Sequence, residues 1–217
     1  MRRTLLAFAL ALAVVPLAAA AQDNIDKVNG SIHVEAGQPV GDASTVNGAV
    51  HVDDGASVRK ASTVNGAVEL GDKAQAGEIG MVNGAVSLGK SARVTGKVET
   101  VNGSIRLDKG AEVGGRASNV NGAITLDAAH VAGGLGTVGG DITVGADSRV
   151  EGGILVDQSG GWFHWGSSRP PHVVIGPHAV VQGTLEFRRE VVLEVSDSAQ
   201  IGPVKGATPV TFHGDTP

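Results

Sequence analysis

Two histidines and a glutamate stand at equivalent places along this chain and could together bind a metal ion. His33 and His51 are 18 residues apart, and Glu69 follows after 18 more. Imidazole and carboxylate groups are common zinc ligands, but zinc sites are tetrahedral, and three ligands in a straight line fit that geometry badly. The alternative is a solvated face of mixed polar side chains. We favour that alternative and predict no metal site, because ligand types alone are weak evidence without hydrogen-bonding groups that orient them.

A short segment rich in aromatic residues is the second candidate for a functional site. Three of the five aromatic residues after residue 21 lie within four positions, between two glycines and a stretch rich in Ser and Pro. A loop that concentrates aromatic side chains often forms a contact surface, but it can equally fold back as a lid where a slim core needs large side chains. Both interpretations stay open for this contact loop, which comprises Trp162, Phe163, His164 and Trp165.

The known catalytic motifs are missing from the chain. It contains no nucleophile elbow, phosphate-binding loop or HExxH motif, and its Gly-rich stretches fall at the corners of a repeat. It has no cysteine, which excludes disulfides and thiolate metal ligands. We therefore predict no catalytic residues, no cofactor and no enzymatic activity.

One phrase recurs along most of the chain, and its spacing indicates the architecture. The phrase is Val-Asn-Gly, then Ser or Ala, then Ile or Val, and its copies begin 18, 18, 18, 19, 19 and 18 residues apart. A nearly constant period of this length is typical of a solenoid. The copies begin at Val28, Val46, Val64, Val82, Val101, Val120 and, in a degenerate form, Val138.

Within each repeat, apolar residues return every six positions, so that three such units make one coil. Segments such as Ile32-His33-Val34 alternate apolar, polar and apolar residues, which is typical of a short strand with one inward face. Frequent Gly and β-branched residues argue against helices. We predict an all-β fold, a single-stranded parallel β-helix (β-solenoid) with three short strands in each coil of about 18 residues.

Equivalent residues of successive coils lie above one another in such a fold, at the strand spacing of ~4.8 Å. We predict three inward stacks as the core, each buried aliphatic side chain contributing ~1.5–3 kcal/mol. The first stack is Val28, Val46, Val64, Val82, Val101, Val120 and Val138; the second is Val34, Val52, Leu70, Leu88, Leu107, Leu126 and Val144; the third is Val40, Val58, Ala76, Val94, Val113, Ala132 and Val150.

A column of asparagines accompanies these stacks. Each is followed by Gly, which suits a corner that needs a positive φ, and stacked amides can hydrogen-bond from coil to coil. We predict a structural asparagine ladder without chemistry of its own, formed by Asn29, Asn47, Asn65, Asn83, Asn102 and Asn121.

The first 21 residues have the pattern of a secretory signal peptide. Arg2 and Arg3 precede an apolar run, and Ala19 and Ala21 form an A-x-A cleavage site. The run is shorter than the ~20 residues of a spanning helix, although a retained anchor is the alternative. Removing two arginines and no acids takes the net charge from −5 to −7, which disfavours nucleic acid as a partner. We predict a periplasmic or secreted protein without a membrane span in the mature chain.

The repeat divides the rest of the chain into three parts. We predict β-helix repeats over 22–156, an inserted aromatic, Gly- and Pro-rich loop over 157–172, and final irregular coils with a C-terminal cap over 173–217. Six-residue spacing returns after the insertion. Prolines near the C-terminus cannot donate to a strand ladder and would stop strand addition there, so we expect the first coil to have the more open edge. The returning residues are Ile175, Val181, Phe187, Leu193 and Ala199.

The coils of about 18 residues, the Val-centred units of six and the recurring Val-Asn-Gly-Ala-Val phrase resemble those of the bactofilins, bacterial polymer-forming cytoskeletal proteins, from Val28 to Ile201. The resemblance implies a right-handed, three-sided β-helix whose subunits join end to end without nucleotide. It implies ladder positions and no catalytic residue. The predicted signal peptide and the insertion depart from the family's pattern and put polymerisation in question.

A six-residue period is also similar to that of the hexapeptide-repeat acyltransferases, which form left-handed helices and trimers, and the period alone does not decide handedness. The chain lacks a clear set of histidines like the one that such enzymes use, and a shared fold alone is weak evidence for a shared function. Our first hypothesis is a structural, scaffold protein of the bacterial cell envelope that self-associates or contacts an envelope component. Our second is an adhesin-like binding solenoid that uses the aromatic loop.

Overall fold

The computed structural model describes residues 23–158, 169–214 and 216–217. In this part of the chain the regular elements are β-strands and there is no helix. The strands are β1 (Asp23–Asn29), β2 (Ile32–Val34), β3 (Pro39–Asn47), β4 (Val50–Val52), β5 (Ser57–Asn65), β6 (Val68–Leu70), β7 (Gln75–Asn83), β8 (Val86–Leu88), β9 (Arg93–Val94), β10 (Val98–Glu99), β11 (Ile105–Leu107), β12 (Glu112–Val113), β13 (Ala117–Ser118), β14 (Ile124–Leu126), β15 (His130–Val131), β16 (Leu135–Thr137), β17 (Ile142–Val144), β18 (Arg149–Val150), β19 (Ile154–Val156), β20 (His172–Ile175), β21 (Val180–Val181), β22 (Leu185–Phe187), β23 (Val192–Ser196), β24 (Gln200–Ile201), β25 (Val204–Lys205) and β26 (Val210–Phe212).

The strands stack into a three-sided solenoid. Ten parallel strands form the first face, in the order β2-β4-β6-β8-β11-β14-β17-β20-β23-β26. The other two faces belong to one branched sheet, in which the long strands β3, β5 and β7 bend around a corner and β7 pairs with both β9 and β10. The solenoid therefore has about ten turns, and the predicted parallel β-helix is confirmed.

Two of the three predicted core stacks lie inside the solenoid. The stack from Val34 to Val144 is buried throughout. The stack from Val40 to Val150 is also buried, but with one correction: Val131, not Ala132, pairs with Val113 and Val150. The corner between Leu126 and Val131 is one residue shorter than its counterparts, so the register moves by one residue there.

The first predicted stack is wrong, because its valines point outward. Val28 is 67% exposed, and the next five copies of this valine are 38–40% exposed. From the second copy on, the residue before each valine is the buried one, whereas Lys27, before Val28, is exposed. The buried residues are Thr45, Thr63, Met81, Thr100, Asn119 and Thr137. The inward place on this face is therefore largely polar.

A hydrogen bond explains why a threonine takes the inward position. Thr45 Oγ1 donates to the carbonyl oxygen of Gly30 at 3.1 Å, and Thr63 Oγ1 donates to that of Gly48 at 2.9 Å. A buried polar group is tolerated when it is paired in this way. Since side chains alternate along a strand, the valine that follows must face solvent.

The solenoid resumes in register after the inserted segment. Strand β19 ends at Val156 and β20 begins at His172, yet Val144 pairs with Ile175 and Val156 with Phe187. The apolar residues that return every six positions are buried at Ile175, Val181, Phe187 and Leu193, and partly buried at Ala199. Ten coils thus share one continuous core.

Candidate functional surfaces

The asparagine ladder runs along one corner of six successive coils. From the second coil on, each amide nitrogen donates to the Oδ1 atom of the asparagine in the preceding coil. The first bond of the ladder, from Asn47 to Asn29, and the last, from Asn121 to Asn102, both measure 3.0 Å. The intermediate bonds, of Asn65, Asn83 and Asn102, measure 3.0–3.1 Å. These amides therefore hydrogen-bond to one another from coil to coil, which gives them a structural role at the corner.

The glycines beside the ladder are required by space as well as by conformation. Gly66 has φ +158° and Gly84 has φ +141°. A Cβ atom at Gly84 would lie 1.6 Å from the carbonyl oxygen of Gly66 in the coil before it. From the second coil on, the corner therefore accepts no side chain after the asparagine, and this explains why Asn-Gly recurs.

The predicted histidine column lies on the first face, with its side chains outward. The His33 and His51 rings stack with centroids 4.8 Å apart and planes at 17°. His51 Nδ1 lies 2.9 Å from Glu69 Oε2. Ser87 and Arg106 continue the column. The described residues contain no group of three or more His, Cys, Asp or Glu side chains placed to hold a metal ion.

An open groove of about 680 Å³ adjoins this column. It is lined by His51, Glu69 and Ser87 and by carboxylates at the neighbouring corner, including Asp54. Asp54 Oδ1 accepts a hydrogen bond from the backbone N–H of Asp72 at 2.7 Å. That carboxylate caps a corner, so the groove is a solvated edge of the rod without a converging set of reactive groups.

Asp141 fixes the chain where it returns from the insertion. Its Oδ2 atom accepts a hydrogen bond from Arg169 Nη2 at 2.6 Å, and its Oδ1 atom accepts one from the backbone N–H of His172 at 2.8 Å. Burial raises the pKa of Asp141, but the hydrogen bonds from His172 and Arg169 outweigh it and leave the pKa below its usual value. His172 Nε2 is in turn 2.5 Å from Glu194 Oε2.

A second carboxylate holds the chain where it leaves the solenoid. Asp157 Oδ1 accepts hydrogen bonds from the backbone N–H of Gln158 at 2.8 Å and from Arg188 Nη1 at 3.3 Å. The bond from Gln158 is the main reason that the pKa of Asp157 is lowered. The predicted contact loop, Trp162, Phe163, His164 and Trp165, lies outside the described residues, between these two anchored flanks.

Both ends of the solenoid present strand edges. Among the described residues, β1 pairs only with β3, and β2 only with β4. At the other end β24, β25 and β26 each pair on one side. Val210 is 59% exposed there, and Ile201 and Val204 are partly buried. Pro203 and Pro209, which were expected to stop strand addition there, directly precede β25 and β26 and lie outside them. Each end therefore offers apolar side chains beside backbone groups that can continue a ladder.

The outward valines form a surface that the sequence analysis placed in the core. The recurring Thr before several of these valines was the available signal, because strand alternation allows only one of the two neighbours to face inward. We call this surface the valine stripe, and it consists of Val28, Val46, Val64, Val82, Val101 and Val120.

No helix in the described part of the chain is long and apolar enough to cross a membrane. The predicted signal peptide, residues 1–21, lies outside the described residues. Comparison of the chain with models of protein families, with curated proteins and with solved structures finds no match.

Proposed function

We propose that this protein is a non-enzymatic structural element of the bacterial cell envelope, a β-helical rod that joins other copies through its coil ends. The observation that carries the proposal is the open edge of the first coil, where β1 and β2 have one hydrogen-bonded neighbour each among the described strands. A parallel strand edge is a template for further strands. A rod with such an edge at each end can extend by stacking.

The side chains at the ends support the same conclusion. Ile32 and Val34 are buried in the first coil, whereas Ile25 is only partly buried. Asn29 accepts a hydrogen bond from Asn47, and the described chain has no earlier coil to receive its own amide hydrogens. A neighbouring copy would cover Ile25 and offer acceptors to Asn29.

Electron microscopy and sedimentation over a concentration series test the proposal on the protein purified as the cell produces it. Filaments or sheets that grow with concentration are the expected result. Uniform rods of about 50 Å, the length of ten coils at the strand spacing, at every concentration would contradict it. Compact trimers would contradict it too and point to a hexapeptide-repeat enzyme.

A single substitution distinguishes association through the strand edge of the first coil from nonspecific association. Ile32 N donates to Ala49 O within the solenoid, so the N–H of His33, one residue along, points to the open side. His33→Pro removes that donor without breaking an internal bond, because proline is tolerated on edge strands. His33→Ala keeps the N–H and is the control. We expect His33→Pro to form no filaments and His33→Ala to form them, with equal circular dichroism spectra for the two variants. Filaments in both variants would reject the first coil as a contact.

A binding role for the contact loop is the second candidate. Both flanks of the loop are tied to the solenoid, one by the bonds of Asp141 and the other by the contact of Asp157 with Arg188. This favours a binding role, because fixed flanks reduce the conformational entropy that a loop loses on binding. Replacing Trp162 and Trp165 by Ala is expected to abolish retention on isolated cell envelopes or glycan without changing the melting temperature. Unchanged retention would reject this loop as the contact.

The proposed location is the periplasm or the exterior. Mass spectrometry of the protein from a bacterial host is expected to find Gln22 at the N-terminus, after removal of residues 1–21. An intact Met1 on purified protein would favour the retained anchor. Self-association or an envelope component is the proposed partner, and the acidic mature chain disfavours nucleic acid.

A further inference from the structure

The valine stripe is an apolar line on the side of the rod. Outward residues of the first face are polar in the same coils, as at His33, Glu69 and Arg106. On the face that contains the C-terminal ends of β3, β5 and β7, six coils in succession expose a valine. The neighbouring outward column is small in three of these coils, at Ser44, Ser62 and Gly80, and carries Asp26 in the coil before them and Glu99 in the coil after. In the coils of Ser44, Ser62 and Gly80, no bulky side chain of this column would hold a flat partner away from the stripe.

Charged residues border the same face in an alternating order. Four charged residues occupy one column in four successive coils, and they are Asp42, Lys60, Glu78 and Lys97. Lys97 Nζ lies 3.6 Å from Glu78 Oε1 and 2.6 Å from Glu99 Oε2, and Asp42 Oδ1 lies 2.9 Å from Arg59 Nη2. The four residues of the column belong to the coils of Val46, Val64, Val82 and Val101. The order of signs is negative, positive, negative, positive.

We propose that the valine stripe pairs two copies of this protein side by side, with their rods antiparallel. A two-fold axis midway between the coils of Val64 and Val82 places the stripe against itself over its whole length. The same axis places Lys60 opposite Glu78 of the second copy, and Asp42 opposite Lys97 of the second copy. Every one of these four border charges then meets its opposite, which is the complementarity that selects a register.

The size of the face predicts the strength of this pairing. Six coils at ~4.8 Å and about five residues of strand at ~3.3 Å cover roughly 400–500 Å² per copy. A standard stable interface buries about 800 Å² per partner. The pair is therefore a weak dimer that forms at micromolar or higher concentration, and it uses the side of the rod rather than the ends, so it is independent of the end-to-end proposal.

Sedimentation velocity of the wild type and of His33→Pro, in which end-to-end growth is blocked, tests the pairing. A monomer–dimer equilibrium is expected in His33→Pro, and in the wild type at concentrations below those at which filaments form. Val64→Ser with Val82→Ser should weaken the dimer at least tenfold, whereas Val192→Ser, which alters a valine 45% exposed elsewhere, should leave it unchanged. A monomer at every concentration, or a dimer indifferent to the stripe, would overturn the proposal.

A mixing experiment tests the antiparallel register. Lys60→Glu puts two negative charges opposite each other in its own dimer, and Glu78→Lys puts two positive charges there, so each variant alone should dissociate. Mixed together, they restore both opposite-charge contacts across the axis and should form a heterodimer. Valine-dependent dimers without this recovery would overturn the register. Circular dichroism of each variant shows that the fold is retained.

Discussion

Thr63 donates its hydroxyl hydrogen to the carbonyl oxygen of Gly48, one coil earlier, over 2.9 Å. This bond satisfies a corner carbonyl inside the solenoid and turns the next residue, Val64, to the surface. The same relationship joins Thr45 to Gly30 at 3.1 Å. The corner hydrogen bond and the exposed valine are therefore two consequences of one strand orientation.

Removing that hydroxyl should destabilise the rod although the replacement is apolar. Thr63→Val keeps the shape but leaves the Gly48 oxygen without this partner, at a cost of about 1–3 kcal/mol in the free energy of unfolding. Thr63→Ser keeps the donor and should cost less. Urea denaturation measures both, and a Thr63→Val variant as stable as the wild type would show that the bond is dispensable.

Introducing a carboxylate should strongly destabilise the fold at one residue of β8 and have almost no effect at the next. Val86 is fully buried, so Val86→Asp leaves an unpaired charge in the core and should lower the free energy of unfolding by more than about 3 kcal/mol. Ser87 points outward next to Arg106, and Ser87→Asp should change stability by less than about 0.5 kcal/mol. Equal losses at the two positions would contradict the register.

The Asn-Gly corner should be far more sensitive at Gly than at Asn. Gly84→Ala forces a Cβ onto the Gly66 carbonyl oxygen and should prevent local closure of the coil, seen as lost hydrogen-exchange protection in neighbouring coils. Asn83→Ala removes the two ladder bonds to Asn65 and Asn102, which are exposed, and should cost about 1 kcal/mol. A Gly84→Ala protein with wild-type protection would refute the steric argument.

Asp141 should make stability depend on pH in the acid range. Its folded pKa lies below the usual value of 3.8, so its stabilisation is complete above the unfolded pKa and is lost as pH falls through the folded pKa. Asp141→Asn should therefore be less stable than the wild type at neutral pH, and the gap should shrink below about pH 4. Unfolding curves at several pH values measure it; a gap of constant size down to pH 2 would contradict the prediction.

The repeat in the sequence determined the architecture, because a fold with one coil per period needs nothing but local alternation and a corner residue at constant spacing. The buried stacks through Val34 and Val40, the outward histidine column and the return of apolar residues at Ile175 all follow from counting along the chain. In a parallel stack, residues that are one repeat apart in the sequence are neighbours in space, and that is why counting along the chain succeeds.

Only the tertiary structure decided which residue of the pair Thr63 and Val64 faces inward. Hydrophobicity favours valine, but the Gly48 carbonyl inside the corner needs a donor, and that need exists only once the coils are stacked. The shift from Ala132 to Val131 likewise depends on a corner shortened by one residue. The valine stripe and the charges beside it are surface features for the same reason. The local sequence determines that inward and outward residues alternate, and contacts between coils determine which of two neighbours faces inward.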